Sequence, residues 1–381
     1  MLSGSKFKIL HVASFIGNIG DNASHCGLYS ILHSVLGDNA SIEQQEIRKF
    51  YKNYHDADKL AFDLDFVDHA NRFDLLIIGG GGFLDYWVPD SATGTTIDID
   101  QRALDALTVP LLITSIGCFP HKEVPAGNLQ RLEAFLDQIR ERDNTRIAFR
   151  NDGSVANLHR EFRGKYQGAF GEVLDSGFFF EPEIQAPMMP VPSYVAINVS
   201  DDQLDMLSQQ HGPIDKHAYY QELSLLIEHF SHHQNKHVVL VPHIHGDLKA
   251  IFSLLEGQND FLKRKKISVA PCIQDVAGAN LVFSVYQHSE LVIGSRFHAN
   301  VCSLALNANT IGMAVLDRVS HLYQSLDMAD SVVQPTPGFA DRVIGKASDY
   351  ERGNLRINEN EIAQQKNRTT EFYQEFFARI A

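Results

Sequence analysis

Short apolar runs that alternate with helix-like stretches are the feature that most constrains the fold of this chain. Most of the runs are about four to seven residues long and rich in Ile, Val and Leu. Runs of this kind are typical of strands buried on both faces of a parallel sheet. They are Phe7–Val12, Leu75–Ile78, Leu111–Ile116, Ile147–Phe149, Tyr194–Val199, His237–Val241, Ile267–Val269, Leu291–Ile293 and Thr310–Leu316.

Helix-like stretches such as Asn128–Arg140 and Ala218–His232 lie between these runs. Strand and helix in alternation predict right-handed βαβ units and an α/β fold. The 381 residues are enough for two domains of ordinary size. The pattern breaks at Pro182–Pro192, a proline-rich stretch typical of a linker.

We therefore predict two domains, residues 1–186 and 187–345, followed by a helical tail over residues 346–381. Within the tail, Glu359–Ile380 has apolar residues spaced to form one helix face. We expect this helix to pack back across the first domain.

The composition excludes several classes of function. A net charge of −14 argues against nonspecific nucleic-acid binding, which needs a broad basic surface. No apolar run approaches the roughly 18–20 residues that a membrane helix needs. The start has no signal-peptide pattern, and the four cysteines are scattered without metal-like spacing. These features predict a reduced, cytoplasmic protein that does not span a membrane.

Two glycine-containing turns follow predicted strands of the first domain. Asn18, Gly20 and Asp21 follow the first strand and open a helix, with Asp21 or Asn22 as the expected N-cap. Free N–H groups at such a start can bind an anion or a polar ligand. A run of four glycines, Gly79–Gly82, ends a buried strand. It indicates close approach by a ligand or by another chain segment.

In open α/β sheets ligands bind beyond the carboxyl ends of the strands, so we consider Gly80, Gly81 and Gly82 candidate binding residues. Asp85, just beyond them, is expected to reach the same cleft. Arg150 ends another strand and suits a phosphate or carboxylate, although a structural salt bridge is an equal alternative.

A His-x-His-x-Asp sequence follows the strand His237–Val241. It invites a metal interpretation, but further ligands are not evident nearby, so we predict no metal site. His243 is more plausible as an acid, a base or a phosphate donor, and His245 as a binding residue.

Arg296 and His298 stand where the strand Leu291–Ile293 gives way to a helix. We expect Ser295 to cap this helix and both basic side chains to lie in its first turn. The helix dipole makes that an unfavourable place for a cation unless an anion arrives. The pattern therefore predicts an anion site that involves Ser295, Arg296 and His298.

The ordered set of motifs resembles the polysaccharide pyruvyl transferase family over about residues 8–330. The Gly-x-Arg-x-His pattern at residues 294–298 is the most specific element. The other matching elements are Gly17–Asp21, Gly79–Leu84, Ser115–Gly117, Phe149–Ser154, and Pro242-His243 with Asp247. Departures occur at Cys118–Pro120 and at Asn151, where the family usually has a simpler turn and an acidic residue.

The resemblance implies a GT-B-like architecture, with two Rossmann-like domains facing across a cleft. It also implies transfer of a pyruvyl group from phosphoenolpyruvate to a sugar, forming a cyclic ketal on two hydroxyls without a further cofactor. Arg296 would then hold an anion of the donor, and His298 or His243 would supply a proton. Asp21 or Asp85, expected on the first domain, would act as the base.

Two rival functions remain open from the sequence. A glycosyltransferase of the same fold, using a nucleotide sugar, would need an acidic residue for the ribose, and Asp317 is suitably placed. A non-catalytic protein that binds sugars or anions would retain Arg296 and His298 without turnover. Nucleotide binding and phosphate release separate these rivals from a pyruvyl transferase.

Overall fold

The structure is a computed structural model that describes residues 6–183, 191, 193–206 and 214–380. The domain boundary predicted near residue 186 lies outside these ranges. Within them, the chain forms two parallel sheets of six strands each, with helices between the strands. The predicted α/β class is confirmed.

The first sheet has the strand order β2-β1-β3-β4-β5-β6. All of its strand pairs are parallel. The chain moves from β1 to one side for β2 and then to the other side for β3. The carboxyl ends of β1 and β3 therefore flank a topological switch point. The strands are β1 (Phe7–Ala13), β2 (Ala40–Glu46), β3 (Leu75–Gly81), β4 (Leu111–Ile116), β5 (Thr145–Arg150) and β6 (Gly171–Val173).

The second sheet has the strand order β12-β11-β10-β7-β8-β9. Its pairs are also parallel, and its switch point lies between the carboxyl ends of β7 and β10. The strands are β7 (Tyr194–Asn198), β8 (His237–Val241), β9 (Ile267–Val269), β10 (Leu291–Gly294), β11 (Thr310–Met313) and β12 (Val332–Val333).

Every apolar run singled out in the sequence contributes a strand, whereas β2, β6 and β12 were not predicted. These three strands are at sheet edges. β2 reads ASIEQQE and is partly exposed, and the other two have three and two residues. Edge strands are covered on fewer sides and need no continuous apolar run, so the pattern that identifies central strands does not reveal them.

The helices connect successive strands and cover the sheet faces. Among the described residues, no helix is long and apolar enough to cross a membrane. The helices are α1 (Ile19–Leu36), α2 (Leu64–Ala70), α3 (Gln101–Ala106), α4 (Asn128–Arg140), α5 (Ser154–Glu161), α6 (Lys216–Glu228), α7 (His245–Glu256), α8 (Asp260–Lys265), α9 (Asp275–Gln287), α10 (Phe297–Ala305), α11 (Asp317–Ser325), α12 (Phe339–Arg352) and α13 (Glu359–Ile380).

Contacts divide the described residues into two compact units. The first unit contains the residues up to Phe15, Leu28–Ser176 and the residues from Gln365 onward. The second contains Ile16–Gly27 and Gly177–Gln364. Each unit has a hydrophobic core of its own. By its contacts, the beginning of α1 therefore belongs to the same unit as the second sheet.

The last helix contributes to the first unit from Gln365 onward. The Tyr373 hydroxyl lies 2.8 Å from the Thr114 hydroxyl on β4. The Thr369 hydroxyl accepts a hydrogen bond of 3.0 Å from the Leu174 backbone N–H. Tyr373, Phe376 and Phe377 are buried, so the end of the chain covers part of the first core.

Candidate active site

The Gly-x-Arg-x-His segment lies at the switch point of the second sheet. β10 ends at Gly294, and α10 begins at Phe297. β7, the neighbouring strand at the switch point, ends at Asn198. Ligands of open α/β sheets bind in such a crevice. The sheet order thus brings the residues after two distant strands together.

The cap of α10 differs from the sequence-based expectation. The N-cap is Arg296, with extended backbone (φ −81°, ψ 146°), rather than Ser295. The Ser295 hydroxyl donates to the Asn198 carbonyl oxygen at 2.9 Å and lies 2.8 Å from the Ser200 hydroxyl. The Arg296 N–H donates to Asn198 Oδ1 at 2.8 Å. Ser295 therefore ties β10 to β7, and its hydroxyl is used within the protein.

The Arg296 guanidinium already has carboxylate partners. The prediction that it lacks a negatively charged partner until a ligand binds is therefore wrong. Its Nε donates to Asp247 Oδ2 at 2.8 Å, and its Nη2 donates to Asp247 Oδ1. Nη2 also donates to Asp202 Oδ1 at 3.0 Å. Burial alone would lower the pKa of Arg296, but hydrogen bonding to Asp247 and the charges of both carboxylates raise it.

His298 is on the first turn of α10, beside the beginning of α1. Its Nδ1 lies 3.7 Å from Asp21 Oδ1. Asn18 donates to the same oxygen of Asp21 at 3.1 Å and accepts from the Gly20 N–H at 3.0 Å. Asn18 therefore caps α1 in place of the expected Asp21 or Asn22, and it orients Asp21 toward His298. Asp21 belongs to the second unit rather than to the first domain, where the sequence placed it.

Gly20 has a steric reason for being glycine. A Cβ atom built on it would lie 2.6 Å from the His298 Cβ atom and 2.7 Å from its Nδ1. Real side chains do not approach this closely. The bare backbone of Gly20 therefore allows His298 to pack against α1, and this contact brings Asp21 within reach of the imidazole.

His243 is buried behind Arg296, with 1% of its surface exposed. Its Nε2 lies 2.8 Å from the Tyr286 hydroxyl. Burial, followed by the positive charges of Arg296 and His298, holds the pKa of His243 well below its ordinary value. The ring is therefore neutral at neutral pH. His245, two residues later, is exposed at the first position of α7.

In the first unit, the glycine run is explained by contacts within the protein. A Cβ atom on Gly79 would lie 1.9 Å from the Thr114 carbonyl oxygen on the adjacent strand. On Gly81 it would meet the Phe83 ring at 2.6 Å, and on Gly82 the Asp85 carboxylate at 2.6 Å. Gly80 has a positive φ of 79°. We predicted that either a ligand or another part of the chain approaches this run closely. Contacts within the protein are sufficient to explain the glycines.

Arg150 is almost completely buried at the end of β5. Its Nε donates to Asp152 at 2.6 Å, and its Nη1 lies 3.4 Å from Asp175. Burial alone would lower the pKa of Arg150, but these two carboxylates raise it. The geometry matches the salt-bridge alternative, and a role in substrate binding stays a prediction.

Asp85 lies at the same edge of the first sheet. It accepts a hydrogen bond of 2.7 Å from the Phe119 N–H. Its Oδ2 lies 3.8 Å from His121 Nε2, and the His121 ring lies parallel to the Phe119 ring. His121 was not predicted from the sequence as a site residue, because it lies in no recognised motif.

Sequence reasoning also missed the roles of Asp202 and Asn198, and it gave Asp247 no role beyond its place in a motif. Asp202 and Asn198 are about 95 residues from Arg296 in the chain. A signal was present, since each follows or ends a strand that borders the switch point. Predicting the pairing requires the sheet order, because neighbours in the sheet are not neighbours in sequence.

Comparison with solved structures shows the fold. The chain is similar to a glycosyltransferase from Rickettsia africae ESF-5, with a TM-score of 0.56, 11% identity and coverage of 98% of both chains. It is also similar to the trehalose 6-phosphate synthase of Burkholderia multivorans, with a TM-score of 0.54, 10% identity and coverage of 99% and 98%. A UDP-GlcNAc 2-epimerase from Methanocaldococcus jannaschii gives a TM-score of 0.52, 10% identity and coverage of 90% and 92%. The predicted GT-B-like fold is confirmed.

Sequence comparison identifies the family. No curated protein matches this sequence. A family model described as polysaccharide pyruvyl transferase matches residues 18–317. This range contains Asn18, Asp21, Asp247, Arg296 and His298, which the geometry brings together in the second unit. The chain therefore belongs to the polysaccharide pyruvyl transferase family, and the protein is a transferase enzyme.

Proposed function

We propose that the protein transfers the pyruvyl group of phosphoenolpyruvate to a sugar of a polysaccharide or of its precursor. The products are a cyclic ketal on two sugar hydroxyls and inorganic phosphate. One observation carries the proposal: a guanidinium and an imidazole, from Arg296 and His298, adjoin the start of one helix at the switch point of the second sheet. The proposed reaction uses the donor substrate and no further cofactor.

Donor binding would use the charge of a side chain and the dipole of a helix start together. Phosphoenolpyruvate has a carboxylate and a phosphate on one small carbon frame. Arg296 supplies a permanent positive charge, and α10 begins directly after it with the positive end of its dipole. A helix start of this kind suits an anion. This combination supports an anionic donor more directly than it supports a neutral ligand.

His298 is the residue best placed to supply the proton. Its imidazole lies beside the Asp21 carboxylate, which orients the ring. His243 is neutral and almost fully buried, so we assign it a supporting position rather than proton transfer. We accordingly propose His298 as the general acid and Asp21 as its positioning partner.

The proposed reaction begins with proton transfer to the donor. His298 protonates the methylene carbon of the donor, which makes the adjacent carbon electrophilic. One sugar hydroxyl adds to that carbon and loses its proton, and phosphate leaves with the electron pair of its carbon–oxygen bond. The second hydroxyl then adds, loses its proton and closes the ketal. One of the two released protons restores His298, and the other goes to the departing phosphate. That Asp85 acts as the base for a sugar hydroxyl stays a prediction.

The test is a calorimetric titration of the protein with phosphoenolpyruvate and, separately, with nucleotide sugars. We expect saturable binding of phosphoenolpyruvate that Arg296→Lys weakens at least about tenfold, because Lys lacks the planar fork of Arg. His298→Gln should keep donor binding and lose phosphate release in the presence of acceptor sugars. Arg264→Ala, an exposed arginine paired with Asp260, is the matched control.

Circular dichroism of each variant separates loss of binding from loss of folding. Binding of a nucleotide sugar with no response to phosphoenolpyruvate would contradict the proposal. It would favour a glycosyltransferase instead. Wild-type levels of phosphate release by His298→Gln would leave the donor assignment intact and remove His298 as the acid.

A further inference from the structure

The Arg296 guanidinium has two edges that can bind a carboxylate or a phosphate. The side edge, formed by Nε and Nη2, is occupied by Asp247. The end edge, formed by Nη1 and Nη2, is different. Nη2 donates to Asp202 Oδ1 at 3.0 Å, whereas Nη1 makes no hydrogen bond with any residue that the structure describes. Half of the end edge is thus available.

The two carboxylates that contact Arg296 are held differently. Asp247 has 1% of its surface exposed, and its Oδ2 accepts the backbone N–H groups of His243 at 2.9 Å and Ile244 at 3.3 Å. Releasing it would leave those donors and a buried charge without a partner. The side chain of Asp202 is 50% exposed. Within the described part of the chain, Arg296 is its only hydrogen-bond or ion-pair partner. Asp202 can therefore move into water at little cost.

We infer that the end edge of Arg296 is a bidentate anion subsite, and that Asp202 occupies half of it until a ligand carboxylate or phosphate displaces it from Nη2. Two parallel N–H···O bonds from one guanidinium bind such groups more strongly and more specifically than a single hydrogen bond does. Asp247 would stay in place and fix the plane of the guanidinium. Asp202 then competes with the ligand and sets its affinity.

The inference rests on the proposed function only for the identity of the ligand. A carboxylate and a phosphate present the same pair of oxygens to the guanidinium, so the subsite accepts either. Pyruvate tests the carboxylate alone, inorganic phosphate tests the phosphate alone, and phosphoenolpyruvate has both. The probe with the larger response to changes at Asp202 identifies which half of the donor binds the end edge.

The experiment compares Asp202→Asn with the wild-type protein by calorimetric titration of the three probes. Removal of the competing charge should lower the Kd of the probe that binds the subsite by about two- to fivefold, because the ion pair to be broken is half exposed. The matched control is Asp205→Asn. Asp205 is exposed and pairs with Lys216 at 3.1 Å instead of with Arg296. Its Kd values should equal those of the wild type.

The outcomes separate this inference from the proposed function. An unchanged or higher Kd for every probe in Asp202→Asn would overturn the inference, and phosphoenolpyruvate binding by the wild type would still support the function. Tighter phosphate or pyruvate binding in Asp202→Asn, with no binding of phosphoenolpyruvate by either protein, would keep the subsite and contradict the function. An equal change in Asp205→Asn would indicate a general charge effect and also overturn the inference.

Discussion

At the scale of single residues, the site depends on close contacts that leave no room for a methyl group. Gly20 is the clearest case, because the His298 ring occupies the space that a side chain would need. Asn18 connects the Gly20 backbone to the Asp21 carboxylate. The sequence singled out these positions, although as an anion-binding turn. In the structure they bring a carboxylate close to an imidazole, and a role in ligand binding stays a prediction.

Gly20→Ala should therefore lower donor turnover by at least about tenfold while leaving the fold intact. The new Cβ atom would lie 2.6 Å from the His298 Cβ atom, so either the ring or the start of α1 must move. A displacement of about 1 Å at a catalytic group can cost roughly a hundredfold in rate. The measurement is kcat by phosphate release, with circular dichroism to confirm folding.

Gly345→Ala is the control for this substitution. Gly345 lies inside α12, and a Cβ atom there would meet nothing within 4 Å. We expect unchanged activity and a helix that is slightly more stable. Full activity in Gly20→Ala would show that the close approach of His298 to α1 is not needed for turnover.

At the scale of secondary-structure elements, the start of α7 connects a helix cap to the charge of the site. Asp247 accepts the backbone N–H groups just before the helix with one oxygen and binds the Arg296 guanidinium with both. The helix start therefore supplies the counter-charge that lets Arg296 be buried. The His-x-His-x-Asp motif, which suggested a metal, is explained by its aspartate as a cap and an ion-pair partner.

Asp247→Asn should lower the free energy of unfolding by about 3 kcal/mol, because it leaves a buried guanidinium without its main charge partner. Urea denaturation followed by circular dichroism measures this change. Asp260→Asn is the control, since Asp260 forms an exposed pair with Arg264 within one helix and should contribute little. Equal stability of Asp247→Asn and the wild type would refute the counter-charge role.

At the scale of the whole molecule, neither compact unit is a single continuous segment. The first unit includes the residues from Gln365 onward, and the second includes Ile16–Gly27. Tyr373 and Thr369 make hydrogen bonds to β4 and to Leu174. The last helix thus packs on the first unit from Gln365 onward, although it follows the second unit in the chain.

Deletion of residues 365–381 should remove hydrogen-exchange protection from the first sheet, especially from β4 and β6. Loss of a buried large side chain typically costs several kcal/mol, and this segment contributes Tyr373, Phe376 and Phe377. Their sum is comparable with the whole stability of a domain. Glu375→Gln, on the exposed face of the same helix, is the control. Unchanged protection of β4 in the deletion variant would contradict this role.

The fold class, the central strands and the segments that border the site can be predicted from the sequence alone. These features depend on local patterns, because a buried parallel strand needs a continuous apolar run and a strand end needs turn residues. Three of the four edge strands were not predicted, because β2 is partly exposed and β6 and β12 are very short. The resemblance to the family also depended on local motifs.

The contacts between side chains that are distant in sequence follow from packing in three dimensions. Arg296 and His298 were predicted together, but the pairing of Arg296 with Asp202 and Asp247 depends on the order of strands in the second sheet. The contact of His298 with Asp21 depends on the packing of the start of α1 within the second unit. The three-dimensional structure also shows that Arg150 forms buried salt bridges and that contacts within the protein explain the glycine run. Local sequence patterns specify helices and strands. Contacts between residues that are distant in sequence depend on how those helices and strands pack, and a single sequence does not show that packing.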